Sequence, residues 1–168
     1  IAIHFTGKGG REIDLHLADT RLEKLIRTMS RLSGQHLFRY PRDGGIHHVT
    51  STEVNEYLCS LFGFHVTAKQ FRTWAACVEA LDYCLENDEP SVTPMLEAAA
   101  ARLHNTPAIC RKSYVHPGIV AAVKEGDITD CLERASARMS RAVARMDRLS
   151  DTEKKFLTVL EHGLLGDY

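Results

Sequence analysis

The stretch TAKQFRTWAACVEALDYCLE, residues 67–86, contains a long helical pattern around which a mainly helical core is expected. Thr67 and Gln70 have the spacing of a capping box, so the predicted helix runs from Ala68 to about Glu86. Apolar residues recur every three or four positions and form one stripe, made of Phe71, Trp74, Ala75, Val78 and Leu81. This stripe predicts the face on which the other helices pack.

The N-terminal residues predict a β-hairpin. The segments IAIHF and EIDLHL alternate apolar and polar residues on either side of the glycine-rich TGKGGR, which carries Lys8 at its tip. This hairpin, residues 1–17, contains the only strands that we predict. The glycine- and proline-rich residues 33–51 are instead predicted to form a loop.

Helical patterns occupy most of the remaining chain. Helices are predicted to begin near Thr20, after a cap at Ser51 or Thr52, at Thr93-Pro94 with the proline in the first position, and near Ile128. The second of them is predicted to turn Val54, Tyr57, Leu58 and Leu61 inward, and the last to run unbroken to Leu149. The predicted fold is therefore mainly α with a small N-terminal β-hairpin, an α+β class. We expect one domain over residues 1–168, with the helical part covering 20–168.

Composition excludes several classes of function. The net charge of -1 gives no global signature of a nucleic-acid binder, so any phosphate site must be a local cluster of cations. Five irregularly spaced cysteines without a C-x-x-C pair favour reduced thiols over a disulfide framework. The nine histidines do not have the spacing of a zinc site. The sequence contains no run of 18 apolar residues, so it predicts no membrane-spanning helix. We expect a cytoplasmic protein without a metal.

Basic side chains occur at three short, well-defined supports. Lys8 lies at the hairpin tip, Lys69 and Arg72 lie in the first turn of a helix, and Arg111-Lys112 precede Tyr114. A hydroxyl nucleophile, guanidinium groups and an acid are the parts that a metal-free attack on a phosphodiester needs. Each of these cations, taken alone, could equally be an ordinary solvent-facing charge.

A row of arginines follows at helical spacing near the C-terminus. These residues are Arg134, Arg138, Arg141, Arg145 and Arg148. Like charges on one helix face repel one another unless water or an anion screens them. The row therefore predicts a solvated face, or else a contact with the DNA backbone or with an acidic neighbouring domain.

Four segments in order resemble the catalytic domain of type IB DNA topoisomerases, in the bacterial and poxvirus-like branch. They are FTGKGGRE (5–12), STEVNEYL (51–58), TAKQFRTWAA (67–76) and NTPAICRKSYVHP (105–117). The resemblance covers about two thirds of the chain, from Ile3 to Val120. It implies the catalytic fold that these enzymes share with tyrosine recombinases, and a monomer that acts on double-stranded DNA near the nucleoid.

The resemblance also implies residue roles. Tyr114 would attack a DNA phosphodiester to form a 3′-phosphotyrosyl link, and Lys8 would protonate the departing 5′ oxygen. Arg72 would hold the scissile phosphate, and Asn105 would hydrogen-bond a non-bridging oxygen. Lys69 would be a secondary DNA contact. Neither ATP nor an obligatory metal is needed, because the phosphotyrosine conserves the bond energy.

Some assignments stay open. Arg111 and Lys112 fit as contacts to the DNA backbone but also as surface charges, and His104 could replace Asn105 as the phosphate contact. The family uses a second catalytic arginine upstream of the hairpin, and we expect that arginine and an N-terminal DNA-clamp domain to lie outside this chain. Rival interpretations are a tyrosine recombinase, which typically has histidine where Lys69 stands, and a DNA-binding domain without catalysis.

Overall fold

The computed structural model describes residues 1–7, 10 and 12–166. These residues divide into two compact units, Ile1–Ala68 and Lys69–Tyr168. Within the described residues the chain is mostly helical with small antiparallel hairpins, so the predicted mainly α, α+β class is confirmed. That these units together form one catalytic domain stays a prediction.

The first unit begins with the predicted hairpin. Strand β1 (Ala2–Thr6) pairs antiparallel with β2 (Glu12–His16), and Ile3 lies opposite Leu15. Near the tip, the Thr6 hydroxyl donates to the Glu12 carboxylate at 2.9 Å. Helix α1 (Thr20–Ser30) follows, and the Asp19 side chain caps it by accepting from the backbone N–H groups of residues 21 and 22.

A second hairpin occupies part of the segment predicted to be a loop. Strand β3 (Arg39–Arg42) pairs with β4 (Gly45–His48) through the dipeptide Asp43-Gly44. Both turn residues have positive φ, 50° and 77°, which is the type I′ geometry that matches the twist of a hairpin. The loop prediction was therefore wrong over these strands, and the Asp-Gly signal within it was missed.

Helix α2 (Ser51–Phe62) is capped by Thr50 rather than by Ser51 or Thr52. Thr50 and Glu53 form a complete capping box, because each side chain bonds the other residue's backbone N–H. The predicted inward face is wrong for three of its four residues: Val54, Tyr57 and Leu61 are exposed, and Leu58 is partly buried. Residues of α2 therefore contribute little to the apolar interior of this unit.

The second unit is a helical assembly built on the predicted long helix. Its helices are α3 (Ala68–Glu86), α4 (Val92–Leu103), α5 (Pro107–Ser113), α6 (Pro117–Glu125), α7 (Ile128–Arg138), α8 (Arg141–Ala144) and α9 (Asp151–Glu161). The bounds of α3 are as predicted, but Phe71 of its stripe is 49% exposed. Fully buried side chains from α3, α4, α6, α7 and α9 form one core, including Leu81, Met95, Ile119, Ile128 and Val159.

One helix start and one helix end differ from the predictions, and α5 is a helix for which no start was predicted. Helix α4 starts at Val92, so Pro94 is its third residue and not its first. Pro107 is the first residue of α5, a position where its missing N–H costs no hydrogen bond. The chain leaves the helical conformation at Met139 (φ -58°, ψ 120°), and Ser140 then caps α8. The unbroken helix to Leu149 was thus wrong, and the arginines do not share one helix face.

Among residues 1–7, 10 and 12–166, no helix combines the length and apolarity that a membrane crossing requires.

Candidate active site

Arg72 links two elements of the second unit. Its Nη2 donates a hydrogen bond of 3.1 Å to the backbone carbonyl of Leu103, the last residue of α4. Its guanidinium carbon also lies 5.2 Å from the centroid of the Tyr114 ring, which is a cation–π distance. One side chain in the first turns of α3 therefore contacts both the end of α4 and the predicted nucleophile.

Tyr114 follows the last residue of α5, and hydrogen bonds hold the backbone at this point. The carbonyl of Cys110 accepts from the N–H of Tyr114 at 3.0 Å and from that of Val115 at 2.9 Å. Cys110 and Val115 are buried, whereas the Tyr114 side chain is only partly buried against the core. This arrangement anchors the backbone while it leaves the phenol ring at the surface of the unit.

Asn105 lies in the short connection between α4 and α5. Its N–H donates to the carbonyl of Ala100 at 2.8 Å, and its Oδ1 accepts from the N–H of Thr106 at 3.0 Å. The side-chain oxygen is thereby engaged in the turn. The side-chain nitrogen carries the N–H groups that can donate to a phosphate. The preceding His104 is exposed and adopts the left-handed conformation (φ 50°, ψ 51°) that ends α4. The role of Asn105 stays a prediction.

The secondary cations all lie at the surface. Lys69 is exposed in the first turn of α3, and Arg111 and Lys112 are exposed in the last turn of α5, directly before Tyr114. Within the part of the chain that the structure describes, no ion pair involves these three residues or Arg72. Their positive charge is therefore not neutralised by carboxylates and is available to an anion.

Lys8, predicted to be the general acid, lies outside the described residues. The strands that flank it are paired as expected, with Thr6 opposite Glu12. Its role stays a prediction.

Cys77 is the residue that sequence reasoning missed. This side chain is 1% exposed on α3, and its thiol donates to the carbonyl of Tyr114 at 3.4 Å. The N–H of His116 in turn donates to the Cys77 Sγ at 3.3 Å. In the sequence, a cysteine on an apolar stripe is indistinguishable from ordinary core packing. The one signal in the sequence is that Cys77 lies on the same predicted helix as Arg72.

Helix α3 is also attached to α9. The Trp74 indole N–H donates to the Glu153 carboxylate at 3.0 Å, and the Trp74 ring lies 4.9 Å from that of Phe156. The Trp74 bond and the backbone N–H of Ser150 hold the pKa of Glu153 below its usual value. These contacts fix the helix that carries Arg72 and Cys77.

No metal site accompanies these groups in the described part of the chain, where no three histidine, cysteine or acidic side chains cluster closely enough to hold an ion.

Comparison with known proteins bears on the family of this chain. Residues 1–116 match the family model described as "Eukaryotic DNA topoisomerase I, catalytic core". The chain belongs to this family. A DNA topoisomerase 1B of Acanthamoeba polyphaga mimivirus is 25% identical to it over 131 residues, which are 68% of this chain and 39% of that protein. The resemblance to type IB topoisomerases is thus confirmed. This topoisomerase-family chain spans about two fifths of the viral relative's length.

All seven candidate residues of this topoisomerase-family chain lie within the matched residues 1–116. They are Lys8, Lys69, Arg72, Asn105, Arg111, Lys112 and Tyr114. Helices α6 to α9 follow the matched part and supply much of the core of the second unit.

Proposed function

We propose that this chain carries the catalytic machinery of a type IB DNA topoisomerase, with Tyr114 as the nucleophile. The observation that supports the proposal is the 5.2 Å separation between the Arg72 guanidinium carbon and the Tyr114 ring. A nucleophile and a permanent cation that fits phosphate as a fork lie together on a partly exposed surface. The family's substrate, duplex DNA, presents the phosphodiester that such a pair requires.

In each step of the proposed reaction, one phosphoester bond forms as another breaks. The Tyr114 oxygen attacks phosphorus and loses its proton, the bond from phosphorus to the 5′ oxygen breaks, and Lys8 gives a proton to that oxygen. The DNA then carries a 3′-phosphotyrosyl link and a free 5′-hydroxyl, and the broken strand can swivel about the intact one. Attack by the 5′-hydroxyl on the same phosphorus reseals the strand and releases Tyr114.

Arg72 would stabilise the charge that develops on the phosphate. A guanidinium has five N–H donors, and the Leu103 carbonyl accepts only one of them. The contact with α4 therefore holds the side chain in place while it leaves other donors for the non-bridging oxygens. The Asn105 amide nitrogen would add a further donor, and Arg111 and Lys112 would contact the DNA backbone beside the nucleophile.

One observation separates this proposal from a tyrosine recombinase. Lys69 stands three residues before Arg72, in the exposed first turn of α3, where recombinases typically have histidine. A lysine there supplies a cation at neutral pH, which fits a DNA contact. This favours the topoisomerase.

Plasmid relaxation tests the proposal. The natural polypeptide that carries these residues is incubated with supercoiled plasmid in EDTA without ATP, beside its Tyr114→Phe and Tyr83→Phe variants. We expect the wild type and Tyr83→Phe, a partly buried tyrosine on α3, to relax the plasmid. Tyr114→Phe should bind DNA and relax nothing. Relaxation by Tyr114→Phe, or none by the wild type, would refute the proposal.

A further inference from the structure

The thiol of Cys77 bridges the backbone on the two sides of Tyr114. It donates to the carbonyl of Tyr114 itself and accepts from the N–H of His116, two residues later. Val115 lies between these two groups and is buried, whereas Tyr114 and His116 are partly buried. The nucleophile's own peptide is thus attached to the middle of α3 by a side chain.

The same helix carries the side chain that contacts the Tyr114 ring. Cys77 follows Arg72 by five residues on α3, or about one and a half helical turns. Arg72 contacts the ring of Tyr114 and Cys77 contacts its backbone, so one helix touches the nucleophile at both its side chain and its peptide. Helix α3 is itself fixed to α9 by Trp74.

The thiol is in the protonation state that this bridge requires. Burial raises the pKa of Cys77 to about 11, against a smaller opposing effect of the hydrogen bond from His116. At neutral pH the sulfur therefore retains its proton, and the S–H group can donate to the Tyr114 carbonyl while the sulfur accepts.

We propose that Cys77 is a positioning residue for the Tyr114 nucleophile, acting through the two hydrogen bonds that its sulfur makes on either side of that residue. This inference rests on the proposed function. Its physical basis is that a nucleophile misplaced by about 1 Å can lose on the order of a hundredfold in rate, even when substrate binding is intact. The thiol does not touch the DNA.

Variants at two buried thiols of α3 provide the test. Cys77→Ala removes both hydrogen bonds, and Cys77→Ser retains a donor and an acceptor with a shorter reach. Cys84→Ala is the matched control, because Cys84 is a buried thiol on the same helix that makes neither contact to residues 114–116. All three are compared with the wild type in the natural polypeptide.

The first measurement is amide hydrogen exchange by NMR without DNA, which requires no catalysis. The His116 amide should exchange about tenfold faster in Cys77→Ala than in Cys84→Ala, since it loses its acceptor while the surrounding fold remains. Equal exchange in the two variants would show that the thiol does not hold this segment, and would overturn the inference whatever the enzyme does.

The second measurement separates binding from the bond-forming step. The rate of single-turnover cleavage of a DNA duplex is measured from the amount of covalent adduct formed over time. The dissociation constant for the same duplex is measured with each variant combined with Tyr114→Phe, so that no cleavage occurs. We expect Cys77→Ala to lower the cleavage rate constant by about tenfold to a hundredfold with an unchanged dissociation constant. Cys77→Ser should recover part of that loss, and Cys84→Ala should cleave like the wild type.

The outcomes distinguish the two proposals. If the wild type forms no Tyr114-dependent adduct, the proposed function fails. If the wild type cleaves and Cys77→Ala is no slower than Cys84→Ala, the positioning role fails while the function stands. A loss in Cys77→Ala that appears in DNA affinity, or that Cys77→Ser does not restore, would likewise contradict positioning.

Discussion

Arg72 combines two functions that a lysine could not combine. The fork of the guanidinium can donate to Leu103 and to a phosphate simultaneously, and its central carbon lies 5.2 Å from the centroid of the Tyr114 ring. A lysine retains the charge but has neither the fork nor the plane. The reaction should therefore be sensitive to the shape of this side chain as well as to its charge.

Arg72→Lys should lower the single-turnover rate of covalent adduct formation by a factor on the order of a hundred, which is the typical effect of removing one hydrogen-bond donor to the reacting group. DNA affinity should change by no more than about threefold, because most phosphate contacts are unaffected. Arg102→Lys, an exposed arginine on α4 beside Glu79, is the matched control and should cleave normally. An unaltered rate in Arg72→Lys would contradict the assigned role.

Glu53 gives a pH-dependent prediction for the first unit. The hydrogen bond from the Tyr40 hydroxyl, followed by those from Thr50, lowers the pKa of Glu53 from 4.5 to about 2. A depressed folded-state pKa contributes stability above pH 4.5, and that contribution is lost as the pH falls towards 2. An NMR titration of the Glu53 carboxyl should give a midpoint near 2.

The Glu53→Gln variant removes the charge together with one of the two oxygens that accept from Tyr40 and Thr50, because the amide nitrogen can only donate. It should unfold at a lower temperature than the wild type at pH 6, and the difference should become smaller as the pH falls towards 2, where the charge of Glu53 is lost. Glu56→Gln, on the exposed side of the same helix, should show no such difference. A Glu53 midpoint close to 4.5 would show that these bonds do not favour the charged form.

At the level of elements, the end of α4 brings together the Leu103 carbonyl, which accepts a hydrogen bond from Arg72, and Asn105. His104 adopts a left-handed conformation there, a position that usually has glycine. We expect His104→Gly to raise the free energy of unfolding by about 0.5–1 kcal/mol, because it removes the steric cost of a Cβ at positive φ. Chemical denaturation measures this change.

The same variant decides which of two neighbours contacts the phosphate. If Asn105 does so, His104→Gly should cleave DNA at the wild-type rate, whereas Asn105→Ala should be slower. A stable His104→Gly variant that has lost cleavage would instead assign the contact to His104.

The elements also show where sequence reasoning succeeds and fails. Helix α3 was predicted to the residue, because its long apolar stripe has a single consistent period. The second hairpin was missed since β4 is exposed throughout, while β3 contains a proline and buries an arginine, so no apolar alternation marks either strand. The break at Ser140 was missed because the arginine spacing continues across it, and only the serine cap shows that the helix restarts.

The site could be predicted only in part. The identities of Tyr114, Arg72 and Asn105 came from the family resemblance, since no periodicity brings residues 72 and 114 together. Their contact depends on how α3, α4 and α5 pack, which is a tertiary property. The bridge made by Cys77 depends on the same packing and had no signal of its own.

At the scale of the whole molecule, the chain spans 39% of the length of its viral relative. We propose that full activity needs the family's second catalytic arginine and its DNA clamp in addition to these 168 residues. The 168 residues alone should therefore cleave DNA on the order of a hundredfold more slowly than a polypeptide in which the family's N-terminal part precedes them. Equal cleavage rates under single-turnover conditions would contradict this.

The central claim is that Tyr114 becomes covalently joined to the 3′ end of a cleaved DNA strand. The most direct measurement is mass spectrometry of the trapped adduct after nuclease and trypsin digestion, in which cleavage after Lys112 and Lys124 isolates residues 113–124 with one tyrosine. We predict that this peptide carries a nucleotide through its 3′ phosphate on Tyr114. A nucleotide on any other tyrosine, or attached through a 5′ phosphate, would contradict the account.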